Sequence, residues 1–226
     1  IGAYSPGRAK LEEFTSQRGI KPFSSPDELI NSSDVVHVCT PPLTHEPLTV
    51  AILEKGRHAI VEKPLTGYFG DGSENFSGDT FSRREGLLQT TESLRRMLDA
   101  EKKSKGKIMY AENWIYAPAI QKERELIEKS GAQILRMLGE ESHSGSHSPV
   151  YGIWKFSGGG SLIGKGCHPL AGAVYLKSAE GRSRDEKPIR PVAVSARAHA
   201  VTRMPGFMNR GHLRTGYRDI EDYGIM

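Results

Sequence analysis

Asp34-Val-Val-His-Val-Cys-Thr-Pro-Pro-Leu-Thr-His-Glu46, followed by Ala59-Ile-Val-Glu-Lys-Pro-Leu65, decides how this chain folds. Val35, Val36 and Val38 form a short β-branched run of the kind that fills a buried parallel strand. Pro41 and Pro42 end it, because a proline has no N–H to give to a ladder. A helix is expected to open near Thr44 and to run through Leu48, Val50, Ala51, Ile52 and Leu53, with Gly56 as its C-cap. A second buried strand, Ala59 to Val61, carries Glu62-Lys63-Pro64 at its C-terminal end. Strand, helix and strand in this order make a βαβ unit. Its strand ends bring polar groups to one sheet edge, the edge at which open α/β sheets bind ligands.

Outward from that unit, Ile1 to Tyr4 reads as a strand and Ala9 to Arg18 as a helix with Leu11 and Phe14 inward. Ser25 is placed to N-cap a short helical turn with Pro26 at its first position. Tyr68 to Ser82, rich in Gly, Ser, Asp and Asn, has no periodicity and reads as a surface loop, either an ordinary insertion or a lid. Helical spacing returns from Glu85 to Lys103 through Leu87, Leu88, Leu94, Met97 and Leu98. Lys107 to Ala111 is a strand with Glu112-Asn113-Trp114 at its end, and the domain boundary is expected there, dividing the chain into 1–112 and 113–226. Beyond it, Ala119 to Lys129 is amphipathic and Gly131 caps it. Ala132 to Gly139 and Val192 to Ala200 alternate like half-buried antiparallel strands. Leu162 to Leu176 is a helix.

The composition suits an α/β protein of one or two domains: 226 residues, 26% of them charged, and a net charge of +4. No apolar run approaches the roughly 18 residues a membrane span needs. The densest basic cluster, Lys102-Lys103-Ser104-Lys105 with Lys107, reads as a solvated helix C-terminus rather than a nucleic-acid surface. Cys39 and Cys167 sit in apolar sequence and read as reduced core thiols, which suits the cytoplasm.

Thr40-Pro41-Pro42 after a hydrophobic strand, Glu62-Lys63-Pro64 about twenty residues on, and Gly158-Gly-Gly-Ser-Leu-Ile-Gly-Lys-Gly-Cys-His168 far downstream occur together in that order. The set resembles the glucose–fructose oxidoreductase/inositol dehydrogenase/rhizopine-catabolism (Gfo/Idh/MocA) family. The resemblance implies a Rossmann-type doubly wound parallel sheet, then an α+β domain with a mainly antiparallel open sheet that carries substrate and oligomer contacts. It also implies that both domains are partial. Family members begin with a strand and a Gly-x-Gly-x-x-Gly turn, whereas Ile1-Gly-Ala-Tyr-Ser5 looks like their second strand. Asp222-Tyr-Gly-Ile-Met226 reads as the start of another strand. A piece cut at both ends is therefore expected.

By the same resemblance the cofactor is NAD(P), lying across Ser5, Arg8, Cys39, Thr40, Pro41, Pro42, His45, Glu62, Lys63 and Asn113. Ser5 and Arg8 stand where an NAD-specific fold usually shows an acid for the ribose hydroxyls, and no acid occurs between Ile1 and Leu11. A hydroxyl with a guanidinium favours a 2′-phosphate, hence NADP. His45 is equally a helix first-turn residue.

Lys63 ends a strand and precedes a proline, so its backbone is held extended, and the resemblance allows a cis bond to Pro64. A desolvated lysine can take the proton of a hydroxyl as hydride leaves carbon; the ordinary alternative is a surface lysine. His168 falls at the family's catalytic histidine, against the alternative of a satisfied helix histidine. The family's aspartate four residues earlier is replaced by Gly164, with Lys165 beside it. That leaves Lys165 and His168 as two basic groups and no carboxylate to orient the imidazole, so either the acid/base work is rearranged or catalytic competence is reduced. His143 and His147 lie in a Ser/Gly loop with no cysteine or carboxylate to complete a set, so no metal is expected. The expected function is hydride transfer between a nicotinamide and a secondary hydroxyl of a sugar, inositol or related polyol, by a homo-oligomer when full length. The alternatives are a catalytically weak or silent NAD(P)-binding sugar or redox sensor, and a sugar hydrolase that uses bound nicotinamide.

Overall fold

The computed structural model describes residues 1–146 and 148–226. The chain divides into two compact units, one of Ile1–Thr40, Thr44–Leu65 and Thr91–Ala111, the other of Pro41–Leu43, Thr66–Thr90 and Glu112–Met226.

In the first unit, β1 (Gly2–Ala3) runs parallel to β2 (Lys21–Pro22), joined through α1 (Arg8–Arg18). α1 stops at Gly19, whose φ of 63° is left-handed and suits a residue without Cβ. α2 (Pro26–Asn31) leads into β3 (Val35–Val38), α3 (His45–Glu54) and β4 (His58–Glu62). β4 is the middle of a parallel sheet ordered β3-β4-β5, with β5 at Ile108–Ala111 after the long helix α4 (Arg83–Lys103). Val36 pairs with Ala59 and Val38 with Val61, and these four join Ile30 and Ile52 in one apolar core. The quoted stretches therefore form the expected βαβ unit.

Three expectations need correction here. β3 is not buried along its length: Val36 and Val38 face the core while Val35 is 46% exposed. Alternation on that strand obeys the period of two, so three apolar residues cannot all face one way. Phe14 is exposed rather than inward, and the Arg18 guanidinium covers its ring at 4.0 Å. α4 forms, but only Met97 of the apolar residues named for it is fully buried, while Leu87, Leu88 and Leu98 are exposed.

The second unit is built on α5 (Pro118–Ser130) and α7 (Cys167–Asp185), packed against each other. Tyr175 of α7 accepts hydrogen bonds from Gln121 and Arg124 of α5, at 3.1 Å each. β6 (Arg197–His199) and β7 (Tyr223–Ile225) pair antiparallel. Residues 132–139 and 192–196 form no strand. The Ile134 N–H donates to the Glu180 carboxylate at 3.1 Å and its carbonyl accepts from Lys177 at 3.1 Å. Both of its ladder groups are spent on α7 side chains. The expected helix from Leu162 opens as a π-helical turn, Leu162–Gly166, before α7 proper. Two glycines within five residues make that irregular turn cheap.

The 68–82 segment has no regular structure but is well anchored. Tyr68, Phe76, Phe81 and Trp154, the last on the short α6 (Trp154–Ser157), form an aromatic cluster, and the Trp154 indole donates to the Tyr68 carbonyl at 2.8 Å. Asp219 accepts from Gly78 N–H and Trp154 N–H, at 2.9 Å each, and Arg203 forks onto Asp79.

Candidate active site

The ends of β3 and β4 are tied together by one side chain. His45, at the first position of α3, is fully buried, with Nδ1 at 2.8 Å from the Pro64 carbonyl and Nε2 at 2.9 Å from the Thr40 carbonyl. Its ring bridges the two polar strand ends, so both nitrogens are committed to backbone. Thr44 donates to the Thr40 hydroxyl or accepts from it at 2.6 Å, closing the same turn. Lys63 follows directly on β4, is half-buried, and its bond to Pro64 is cis. Glu62 lies 3.4 Å from the His37 Nε2 and from the Lys63 N–H. Cys39 is exposed just past β3 and Cys167 is half-buried, so neither is the core thiol expected; neither forms a disulfide. The strand ends before Cys39, which places it outside the packed layer. Partial burial, with Glu62 nearby, raises the Cys39 thiol pKa.

At the end of β1, Tyr4, Ser5, Arg8, Glu12, Phe23 and Ser24 line a concavity of about 190 Å³. Arg8 is paired there with Glu12 at 2.8 Å, one turn along α1. Both side chains are more than half exposed, so the pair is worth roughly 0–1 kcal/mol and is easily opened. Glu12, one residue past Leu11, is the first acid of the sequence.

In the second unit, His168 is buried on the first turn of α7, and its Nδ1 lies 2.7 Å from the Glu112 Oε1. Glu112 stands immediately after β5 and is 2% exposed. Its Oε1 also accepts the Trp114 N–H at 3.0 Å, and the Trp114 ring stacks on the imidazole with centroids 5.6 Å apart and planes 16° off parallel. The imidazole therefore does have a carboxylate partner, contrary to the reading of Gly164. It comes from 56 residues away, not from the same helix. Glu112, Cys167 and His168 hold three metal-capable atoms within 4.8 Å of one another. At 2.7 Å, Nδ1 and Oε1 are spaced for a shared proton; two ligands of one tetrahedral zinc would stand roughly 3.3 Å apart, from bonds of about 2.0–2.1 Å. His147 lies outside the described residues, so the His143–His147 pair has no structural description.

Lys165, on the π turn, pairs with Glu141 at 3.4 Å instead of standing as a second bare base. Asn113, next to Glu112 in the sequence, is exposed; Pro41 is exposed and Pro42 is buried. The glycine-rich turn is held by Glu221, which sequence reading passed over. Its carboxylate accepts from Gly160 N–H at 2.9 Å and Leu162 N–H at 3.4 Å, and its carbonyl from Ser161 N–H at 3.0 Å. Burial raises the Glu221 pKa. Gly158, at φ 73°, lies against Gly67, where an added Cβ would come within 3.2 Å of the Gly158 Cα.

Parallel βαβ connectivity with polar groups gathered at strand ends is the architecture of a Rossmann-type fold. Residues 1–77 match the model of the Gfo/Idh/MocA oxidoreductase family, NAD-binding Rossmann fold. Glucose-6-phosphate 3-dehydrogenase of Bacillus subtilis (strain 168) is 32% identical over 65 residues, 29% of this chain and 19% of that protein. Among solved structures, GenD2 from gentamicin A biosynthesis in complex with NAD is 19% identical, with a TM-score of 0.66, over 98% of this chain and 52% of that one. Levoglucosan dehydrogenase, in complex with NADH and levoglucosan, is 23% identical with a TM-score of 0.55, over 76% and 43%. These structures share the fold. The chain spans about a fifth of the curated relative and about half of GenD2.

Proposed function

We propose that this chain is part of an NAD(P)-dependent oxidoreductase acting on a secondary hydroxyl of a sugar, inositol or related polyol. When bound, the nicotinamide supplies the hydride acceptor. The residues present fit such a group: the concavity at Ser5, Arg8 and Glu12 offers a hydroxyl, a guanidinium and a carboxylate to a ribose, and Thr40, His45, Glu62 and Lys63 cluster at adjacent parallel strand ends. Glu12 suits ribose hydroxyls and Arg8 suits a 2′-phosphate, and comparing the Kd of NAD with that of NADP decides between them.

The observation that carries the reading is Lys63, held at the end of β4 beside the Pro64 carbonyl that His45 grips. In this account Lys63 takes the hydroxyl proton, and His168 is the second group serving proton transfer. Lys165, neutralised by Glu141, positions substrate at most. The protein works in the cytosol as a homo-oligomer, which size-exclusion of the full-length protein tests.

Lys63→Met keeps much of the side-chain volume and removes the base. Its kcat should fall by about 10²–10⁴-fold, the usual contribution of a general base, with NAD(P) affinity nearly unchanged. Turnover at the wild-type rate would return Lys63 to an ordinary strand-end lysine. Cofactor binding without turnover of any sugar or polyol would favour the sensor reading.

A further inference from the structure

We propose that Glu112 is a positioning residue: its carboxylate fixes the tautomer and ring orientation of His168, doing from the end of β5 what no residue of the His168 helix does. The inference rests on the role given above to His168. Glu112 Oε1 accepts the Trp114 N–H, which can only donate, and an ionised carboxylate can only accept. With Glu112 ionised and the imidazole neutral, the proton in the 2.7 Å contact sits on His168 Nδ1 and Nε2 is left bare to take a proton. Trp114 stacked on the ring blocks the rotation that would exchange the two nitrogens. Among the described residues, nothing hydrogen-bonds the buried Glu112 Oε2. A carboxylate is costly to bury with one oxygen unsatisfied, and a purely structural role would be met as well by an amide or an apolar residue. Retaining it there makes physical sense if it serves the imidazole. In other enzymes, an acid behind a catalytic histidine acts through the tautomer it selects.

Imidazole ¹⁵N NMR on the ¹⁵N-histidine-labelled protein tests this without substrate. The His168 signals, assigned by their loss in His168→Asn, should show a protonated Nδ1 and a bare Nε2. A protonated Nε2 with a bare Nδ1 in the wild type overturns the proposal outright. Glu112→Met, similar in volume and unable to accept, should give a mixture of tautomers. With NAD(P) and the best of glucose 6-phosphate, levoglucosan and myo-inositol, it should lower kcat by about 10²-fold with KM little changed. Glu112→Gln, whose amide oxygen can still accept from Nδ1, should recover at least about tenfold of that loss. A Met variant with kcat within about twofold of wild type, or a Gln variant no better than Met, overturns the proposal. If His168→Asn itself leaves kcat intact, the failure lies in the role given to His168, and the tautomer measurement still judges Glu112.

Discussion

His45 shows how much a single side chain can settle at the scale of one residue. Thr40-Pro41-Pro42 and Glu62-Lys63-Pro64 were legible as strand ends from the sequence. That one imidazole would span the Thr40 and Pro64 carbonyls was not, because a first-turn histidine has no local signal for a partner nineteen residues away. His45→Ala should cost about 2–4 kcal/mol of unfolding free energy in urea, from the buried volume lost and the carbonyl left without its donor. A loss under about 0.5 kcal/mol would mean the bridge is not made. Gly164 makes the opposite point. The sequence suggested a missing aspartate and a degraded site, yet His168 already has Glu112, a carboxylate that the residues of its own helix could not reveal. A side chain at 164 meets nothing within 4 Å of its Cβ. Gly164→Asp should therefore fold with an unchanged or slightly raised Tm, since helical glycine costs about 1 kcal/mol, and should not raise kcat. A tenfold gain would show that Glu112 does not do the aspartate's work.

Among the elements, the capped turn before α2 was readable because its chemistry is local. Ser25 accepts the Glu28 N–H at 3.1 Å with Pro26 at the first position, as expected. The reciprocal half, Glu28 accepting Ser24 N–H at 2.9 Å and the Ser24 hydroxyl at 2.7 Å, completes a capping box displaced by one residue. Those bonds, the Ser24 N–H first, and Lys21 lower the Glu28 pKa from 4.5 to about 2. A carboxylate whose pKa is depressed on folding stabilises fully above its unfolded value and loses that contribution as pH falls through the folded one. Wild type should therefore exceed Glu28→Gln in stability at pH 6, and the gap should close between about pH 4.5 and pH 2. A gap that persists at pH 2 would contradict the cap. The segments 132–139 and 192–196 mark where local reading fails. Alternation predicts a strand only if a neighbouring strand offers partners. Here α7 satisfies Ile134 through Lys177 and Glu180, and Leu135 and Leu138 stay exposed. The Glu180 carboxylate itself is held below its usual pKa range, by Lys177 first and then by the Ile134 N–H and Arg184, although burial works against that.

Across the whole molecule, the parallel first unit was legible because βαβ units are written in consecutive residues, whereas the second unit is assembled from distant ones. Glu221 on the glycine-rich turn and Asp219 on the 68–82 segment act at separations of 61 and 141 residues, which no periodicity encodes. None of the described helices is long and apolar enough to cross a membrane. The central claim is hydride transfer from a secondary carbinol carbon, and deuterium labelling tests it most directly. Full-length protein should be incubated with NAD(P) and myo-inositol, glucose 6-phosphate or levoglucosan deuterated at the ring carbinol carbons, and the cofactor analysed by mass spectrometry. The account predicts reduced nicotinamide carrying the deuterium, made by wild type and nearly absent with Lys63→Met. Cofactor that binds but is never reduced, or is reduced without deuterium, would contradict it.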